Sequence, residues 1–470
     1  SITGSGKRRA ADAAVAHRNM TRIAAHTARR NWHLMSALVG ANHGASTTPL
    51  IFSTTLLLPR VGYVGSGLLY AATCLSSLFL SVPVVMALGQ RRALLLSMLL
   101  YSSFAGSFAV AAAMEVGSAA QWCTFLPGSV VGGVAASLLW TSQGGYLDRS
   151  TTAVLTSEGK GEEESEAERR QPVTAELSST FAMYYLLAEV AFKLLSSAAL
   201  RYEVRPLVVF TACLAAALLS TAGGLWLLDL GKAPGSTAGR PMAKLAKAAA
   251  LWSDPALWCL SLTNLTFGFA AAFLNGYVNA AFTKPQLGAE FVGFFATATA
   301  LSAAVMSQAF GALARRFGTK GPLILIRSLC FLAVPALVLV VGFDGWRYWL
   351  IVPYLLQGCG RAVHESTNKG VVADFFPGPQ SEGAFANVMM QVTLSFAVCF
   401  FFSATFSSEV LAGIVLTLAA LTCPFYLLAK WLRQGAGSDC AGDNESTCTP
   451  DSTDSARSAV FGHTKATSHT

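Results

Sequence analysis

The sequence predicts an all-α integral membrane protein of twelve transmembrane helices, arranged as two parallel six-helix halves. Three observations predict it. Apolar residues make up 53% of the 470 residues and charged residues only 12%, about half the roughly 25% charged share of soluble domains. Apolar stretches of the ~20 residues needed to cross a ~30 Å hydrocarbon core recur along the chain. Glycine, proline and aspartate positions of the first half recur in the second. A soluble chain of this length would need two or three domains with charged surfaces. The 33 basic and 25 acidic residues, many of them in the tails, are too few for that. This argues against a soluble enzyme and against a secreted disulfide scaffold.

The stretches run over residues 34–58, 63–88, 93–114, 122–146, 180–200, 206–229, 257–281, 291–313, 322–342, 347–373, 383–405 and 409–431. The first is the weakest, because Asn42, His43, Gly44 and Pro49 interrupt it, and the tenth is also polar. Strand-like alternation is sustained nowhere, which excludes a β-barrel. Of the 33 Lys and Arg, twenty-four fall on one side of the spans, five (Arg60, Arg201, Arg205, Lys284, Arg347) on the other and four (Lys193, Arg327, Arg361, Lys369) within spans. Basic loops stay in the cytosol, so both termini are expected there, in the plasma membrane or an endomembrane. Asn19-Met20-Thr21 and Asn444-Glu445-Ser446 fall on the inner side and Asn264-Leu265-Thr266 inside a span, so no glycan is expected.

The organisation that follows is a basic cytosolic arm (1–33) and a first half (34–229) with an acidic cytosolic loop (149–178). A linker (230–256), a second half (257–431) and a disordered Ser/Thr/Asp/Gly-rich tail (432–470) complete it. The arm reads as a contact for anionic lipid or as an organelle transit peptide. The chain begins at Ser1 rather than Met, and whether residues precede it is left open. The run from Glu162 to Glu168 reads as a solvated loop or as a partner-docking segment. Net charge is +8, but the basic residues are not interleaved with aromatics, so no nucleic-acid partner is expected. Ten cysteines are scattered singly. They read as small buried hydrophobes, with no metal or cofactor expected.

A shift of 226 lays Pro127 on Pro353, Gly132 on Gly358, Gly144 on Gly370 and Asp148 on Asp374. Glycine and proline fix backbone shape, so their coincidence says more than matched Leu or Ala. The second half also carries Gly311-Ala312-Leu313-Ala314-Arg315-Arg316-Phe317-Gly318-Thr319-Lys320, and the first keeps Leu88-Gly89-Gln90-Arg91-Arg92. These resemble the loop Gly-x-Leu-x-Asp-Arg-x-Gly-Arg-Lys of the major facilitator superfamily. The resemblance implies the major facilitator fold, with gating-loop residues Gly89, Arg91, Arg92, Gly311, Arg315, Arg316, Gly318 and Lys320. Both copies lack the carboxylate that helps lock one conformation in that superfamily.

Longer stretches resemble its uncoordinated-ninety-three-like branch. They are Leu69-Tyr70-Ala71-Ala72, Leu75-Ser76-Ser77, Leu80 to Pro83, Leu88-Gly89 and Leu96-Ser97-Met98. Next come Leu139-Trp140-Thr141-Ser142-Gln143-Gly144-Gly145-Tyr146-Leu147, and Phe282-Thr283-Lys284 with Leu287-Gly288 and Val292-Gly293. Gly358 and Gly360 with Ala384-Phe385-Ala386-Asn387 complete the set. The resemblance implies an ion-channel regulatory protein such as a potassium-channel accessory subunit, or an escort of other membrane proteins. The fold itself keeps a secondary transporter of a small solute or ion as the alternative.

Candidate site residues are the polar groups inside spans, where a charge costs about 2.5–3.5 kcal/mol on insertion scales. Arg361, Glu365 and Lys369 follow at i, i+4 and i+8, one stripe of a helix, with His364 and Asn368 beside it. They form either a polar cavity wall, where Glu365 or His364 takes up a proton, or a self-neutralising ladder joining the halves. Glu189 and Lys193 make an i, i+4 pair. Asn264, Asn275 and Asn279 lie near one face of the seventh span, and Asn387 and Gln391 are i, i+4 on the eleventh. These amides bind a solute, line a water path or glue helices together. Asn42 and His43 mark the interrupted first span. Trp140 and Tyr146 read as membrane-edge anchors, and Gly128 with Gly132 as a close helix contact. No nucleotide loop or catalytic motif is found, so no enzyme is expected.

Overall fold

The computed structural model describes residues 2–158, 166–230, 241–317, 320–376 and 380–442. They form α1 (Ile2–Leu56), α2 (Pro59–Phe79), α3 (Ser81–Leu88), α4 (Gln90–Ala111), α5 (Ala119–Glu158), α6 (Glu166–Arg201), α7 (Pro206–Gly223) and α8 (Pro241–Ala250). Then follow α9 (Pro255–Ala272), α10 (Lys284–Leu287), α11 (Ala289–Phe317), α12 (Gly321–Val340), α13 (Ile351–Val363), α14 (Lys369–Phe375), α15 (Gln380–Ser403) and α16 (Ser408–Gly442). Two π-helical segments, Phe273–Thr283 and His364–Asn368, join α9 to α10 and α13 to α14. Among the described residues there is no strand.

Ten helices among the described residues are long and apolar enough to cross a membrane. The two other stretches expected to span are helical but dilute in apolar residues. Residues 34–58 fall largely in α1, where Asn42, His43, Ser46, Thr47 and Thr48 lower the hydropathy. Residues 347–373 carry Arg361, Glu365 and Lys369. Both still pack inside the bundle: Trp32, Met35, Val39 and Phe52 of α1 and Tyr354, Ala362 and Val363 of α13 are fully buried.

Local chemistry sets the helix ends. Pro59, Pro206 and Pro255 open helices at first-turn positions, where the missing N–H costs nothing. Asp254 caps α9 by accepting from Ala256 N at 2.9 Å. α2 and α3 are parted at Leu80 because Pro83 has no N–H to offer Phe79 and its ring crowds that turn. α1, in contrast, runs unbroken past Asn42, His43, Gly44 and Pro49, where the sequence suggested an interruption. Its polar side chains turn back onto the helix or its neighbours. Thr47 and Thr48 hydroxyls donate to His43 O and Gly44 O, both at 2.7 Å, and Asn42 Nδ2 donates to Met98 O at 3.2 Å and Ala217 O at 3.0 Å.

The expected flexible segments are helical where they are described. α5 extends to Glu158 and α6 starts at Glu166. An Arg170–Asp148 ion pair ties the two extensions together, and Arg29 Nε of α1 meets Glu176 Oε1 of α6 at 3.1 Å. Within the linker, α8 packs on α15. α16 carries the start of the tail as far as Gly442.

One apolar cluster is built from α1, α2 and α4–α7, with Val292 and Ala296 of α11 added. Two others are built from α9–α16, with Tyr63 of α2 added. Close packing uses matching glycines: a Cβ at Gly132 would lie 2.8 Å from the Phe104 ring, and one at Gly358 2.6 Å from Thr299 O. Tyr70 of α2 stacks on Phe396 and Phe400 of α15, with ring centroids 4.3 and 5.8 Å apart. The two sets of helices meet around that contact.

Candidate functional site

A cavity of about 340 Å³ lies between α1, α2, α4, α5 and α6 on one side and α9, α11, α13 and α15 on the other. Its size falls within the range of small-molecule sites. Glu189 and Lys193 of α6 form an ion pair one helical turn apart. Glu189 Oε1 also receives Arg361 Nη1 of α13 at 3.5 Å, and Arg361 Nε meets Glu365 Oε1 at 2.7 Å. The result is a chain Lys193–Glu189–Arg361–Glu365 that crosses the cavity and sums to zero charge. Glu189 and Lys193 are almost fully buried, whereas the Glu365 side chain is 37% exposed.

His43 stands beside this chain inside a ring of aromatics. Its imidazole centroid lies 4.8 Å from Tyr185, 5.4 Å from Trp140 and 5.8 Å from Tyr101. Buried His43 Nδ1, Glu189 Oε2 and Gln357 Nε2 have no hydrogen-bond partner among the described residues. All three residues belong to the cavity wall.

The cavity gathers His43, Glu189, Lys193, Asn275, Arg361 and Glu365; the other candidates lie elsewhere. Lys369 is exposed: the π-helical segment 364–368 adds a residue to the turn and rotates it out of the stripe shared by Arg361 and Glu365. His364 is buried against Phe267, with ring centroids 3.9 Å apart. Asn264, Asn368 and Gln391 bond to one another within the second half: Asn368 Nδ2 donates to Asn264 Oδ1 at 3.0 Å and Asn264 Nδ2 to Gln391 Oε1 at 2.8 Å. Asn279 donates to Asn275 O at 2.7 Å and accepts from the Tyr354 hydroxyl. Fifteen residues, about 22 Å of helix at 1.5 Å per residue, separate it from Asn264. Asn387 pins the linker, donating to Ala248 O at 2.9 Å and accepting from Trp252 Nε1 at 2.9 Å. Asn42 joins α1 to α4 and α7 through backbone carbonyls.

The aromatic ring was hidden in the sequence. Trp140 reads there as a membrane-edge anchor, yet it forms part of the cavity wall. Tyr146 is fully buried, accepts from Asn31 Nδ2 at 2.8 Å and donates to Leu228 O at 2.7 Å. Tyr101 and Tyr185 had no signal beyond ordinary membrane-helix composition.

The loop motifs lie away from the cavity. Gly89 takes φ 81°, a conformation that ends α3 and that side chains resist. Arg91 Nη2 donates to Leu225 O, and Arg92 and Arg316 are exposed. Gly311 lies in α11. Lys320 Nζ pairs with Asp374 Oδ2 of α14 at 2.6 Å. Gly318 and the side chain of Arg315 lie outside the described residues. Among the described residues no group of three His, Cys, Asp or Glu could hold a metal ion.

The fold is that of major facilitator transporters. A point mutant of the nucleoside transporter NupG superposes with a TM-score of 0.60 at 11% identity, over 86% of this chain and 99% of that one. An auto-inhibited POT family peptide transporter gives 0.59 at 12%, over 86% and 97%. In sequence, residues 55–161 match the family described as "Ion channel regulatory protein UNC-93". The bovine (Bos taurus) protein unc-93 homolog A is 25% identical over 393 residues, 73% of this chain and 80% of that protein. The mouse (Mus musculus) homolog A is 24% identical over 416 residues, 80% and 87%. The chain is a multi-pass membrane protein of major facilitator fold whose sequence is similar to unc-93 homologs.

Proposed function

We propose that this chain regulates an ion channel as an accessory protein in the same membrane. In this reading it has twelve spans, counting residues 34–58 and 347–373, and both termini in the cytosol. The UNC-93 match over residues 55–161 carries the proposal. The centre of the molecule agrees with it. Lys193, Glu189, Arg361 and Glu365 are spent on one another across the two sets of helices, which leaves each of these charges with a protein partner rather than free for a solute. Lipid-facing helix surfaces and the cytosolic ends offer the contacts. Co-expression is expected to change the current or surface level of the channel, and purification of the chain to retrieve it. Unaltered currents and surface levels, with no channel retrieved, refute the proposal.

A second reading, secondary transport, is favoured by the cavity itself, which His43, Glu189, Lys193, Arg361 and Glu365 line between the two sets of helices. Its charged lining sums to zero, which fits a neutral or zwitterionic solute. In proteoliposomes under a proton gradient, Glu365→Gln is then expected to abolish uptake of such solutes while the protein stays folded. Unchanged uptake removes Glu365 as the proton site. Neither reading involves a catalytic step.

A further inference from the structure

Arg327 is fully buried in α12, about 9 Å along the helix from its first residue at 1.5 Å per residue. Its Nη1 donates to Asn368 Oδ1 at 3.2 Å, and its Cζ lies 5.5 Å from the centroid of the Phe331 ring. None of the ion pairs among the described residues includes it. Its Nε and Nη2 are buried and meet no acceptor among the described residues. Those two atoms make up one edge of the guanidinium, a pair of parallel N–H donors that grips an anion in two-pronged fashion.

The surroundings do not neutralise the charge. The amides behind it run in one direction, Arg327 to Asn368 to Asn264 to Gln391, and spread the positive charge without opposing it. A buried cation is retained when an opposite charge meets it. Phe267 lines the central cavity and stacks on His364, and the buried Nδ1 of His364 has no hydrogen-bond partner among the described residues.

We propose that the Nε/Nη2 edge of Arg327 binds a small monovalent inorganic anion. The site belongs to the second half alone and is independent of whether the chain regulates a channel or moves a solute. The test uses the purified full chain in detergent. Its thermal unfolding midpoint is followed while sodium gluconate is replaced by sodium nitrate or sodium chloride at constant ionic strength. Gluconate is far bulkier than nitrate or chloride, so a saturable rise of several degrees is expected with nitrate and with chloride.

Arg327→Gln is expected to remove that rise. Asn368→Asp sets a carboxylate where the amide oxygen now meets Arg327; the Asn264 and Gln391 amides can reverse to accommodate it. This variant is expected to fold in gluconate and to be indifferent to the anion, so it carries the test if Arg327→Gln does not fold. Identical midpoints of the parent protein in all three salts overturn the proposal. So does a rise of undiminished size in either variant.

Discussion

Arg361 and Arg327 both lie inside the bundle, and the protein accommodates them in opposite ways. Arg361 reaches two carboxylates from two helices, Glu189 of α6 and Glu365 of its own turn. Arg327 reaches one amide oxygen and leaves an edge of its guanidinium unmatched. The first arrangement joins the two sets of helices and needs nothing from outside. The second stays within one set and calls for a counter-charge. Pairing serves the interface, and an incomplete shell serves binding.

Substitutions can break this contrast, the largest effect first. Glu189→Ala leaves Lys193 and Arg361 without their shared acceptor in a buried setting, for a loss of about 3–5 kcal/mol. Little monodisperse protein should survive chromatography; a parent-like yield would deny the chain its structural weight. Arg361→Met is expected to cost less, about 1–2 kcal/mol, because Glu189 keeps Lys193 and Glu365 is partly solvated. Denaturant titration measures it, and a loss equal to that of Glu189→Ala would mean that the pairs act as one unit. Arg327→Met should leave stability in gluconate within about 1 kcal/mol of the parent, because relief of a buried charge offsets the orphaned Asn368 oxygen. A large loss there would mean that the site is already matched. Smallest is Lys320→Ala, which breaks an exposed pair with Asp374 and should cost under about 1 kcal/mol, with the difference fading at high salt.

The membrane fold was legible because a bilayer demands long apolar helices and punishes charge, and both demands are written residue by residue. Glu189 with Lys193 and Arg361 with Glu365 were legible for the same kind of reason: their spacing is one helical turn. The bond from Glu189 to Arg361 was not, since it joins residues far apart in sequence and depends on how helices are placed. Lys369 left its expected stripe because a π-helical turn, which carries no sequence signature here, shifted the phase. Asn42 and Asn387 read as candidates because an amide in an apolar helix is conspicuous. Their hydrogen bonds to backbone carbonyls are set by neighbours that the sequence does not name. Trp140, Tyr101 and Tyr185 failed in the opposite sense, as large aromatics are unremarkable in such helices until three of them close around His43.

The four-member ion chain also has a natural dividing line. Cutting it between α6 and α13 severs only the 3.5 Å contact and returns two couples, Lys193 with Glu189 and Arg361 with Glu365, each already neutral. No side chain is stranded with a naked charge when the faces draw apart. A neighbouring protein that tugs on one bundle therefore meets little electrical resistance at the seam, and a motion begun at the lipid-facing side can reach the middle of the molecule cheaply.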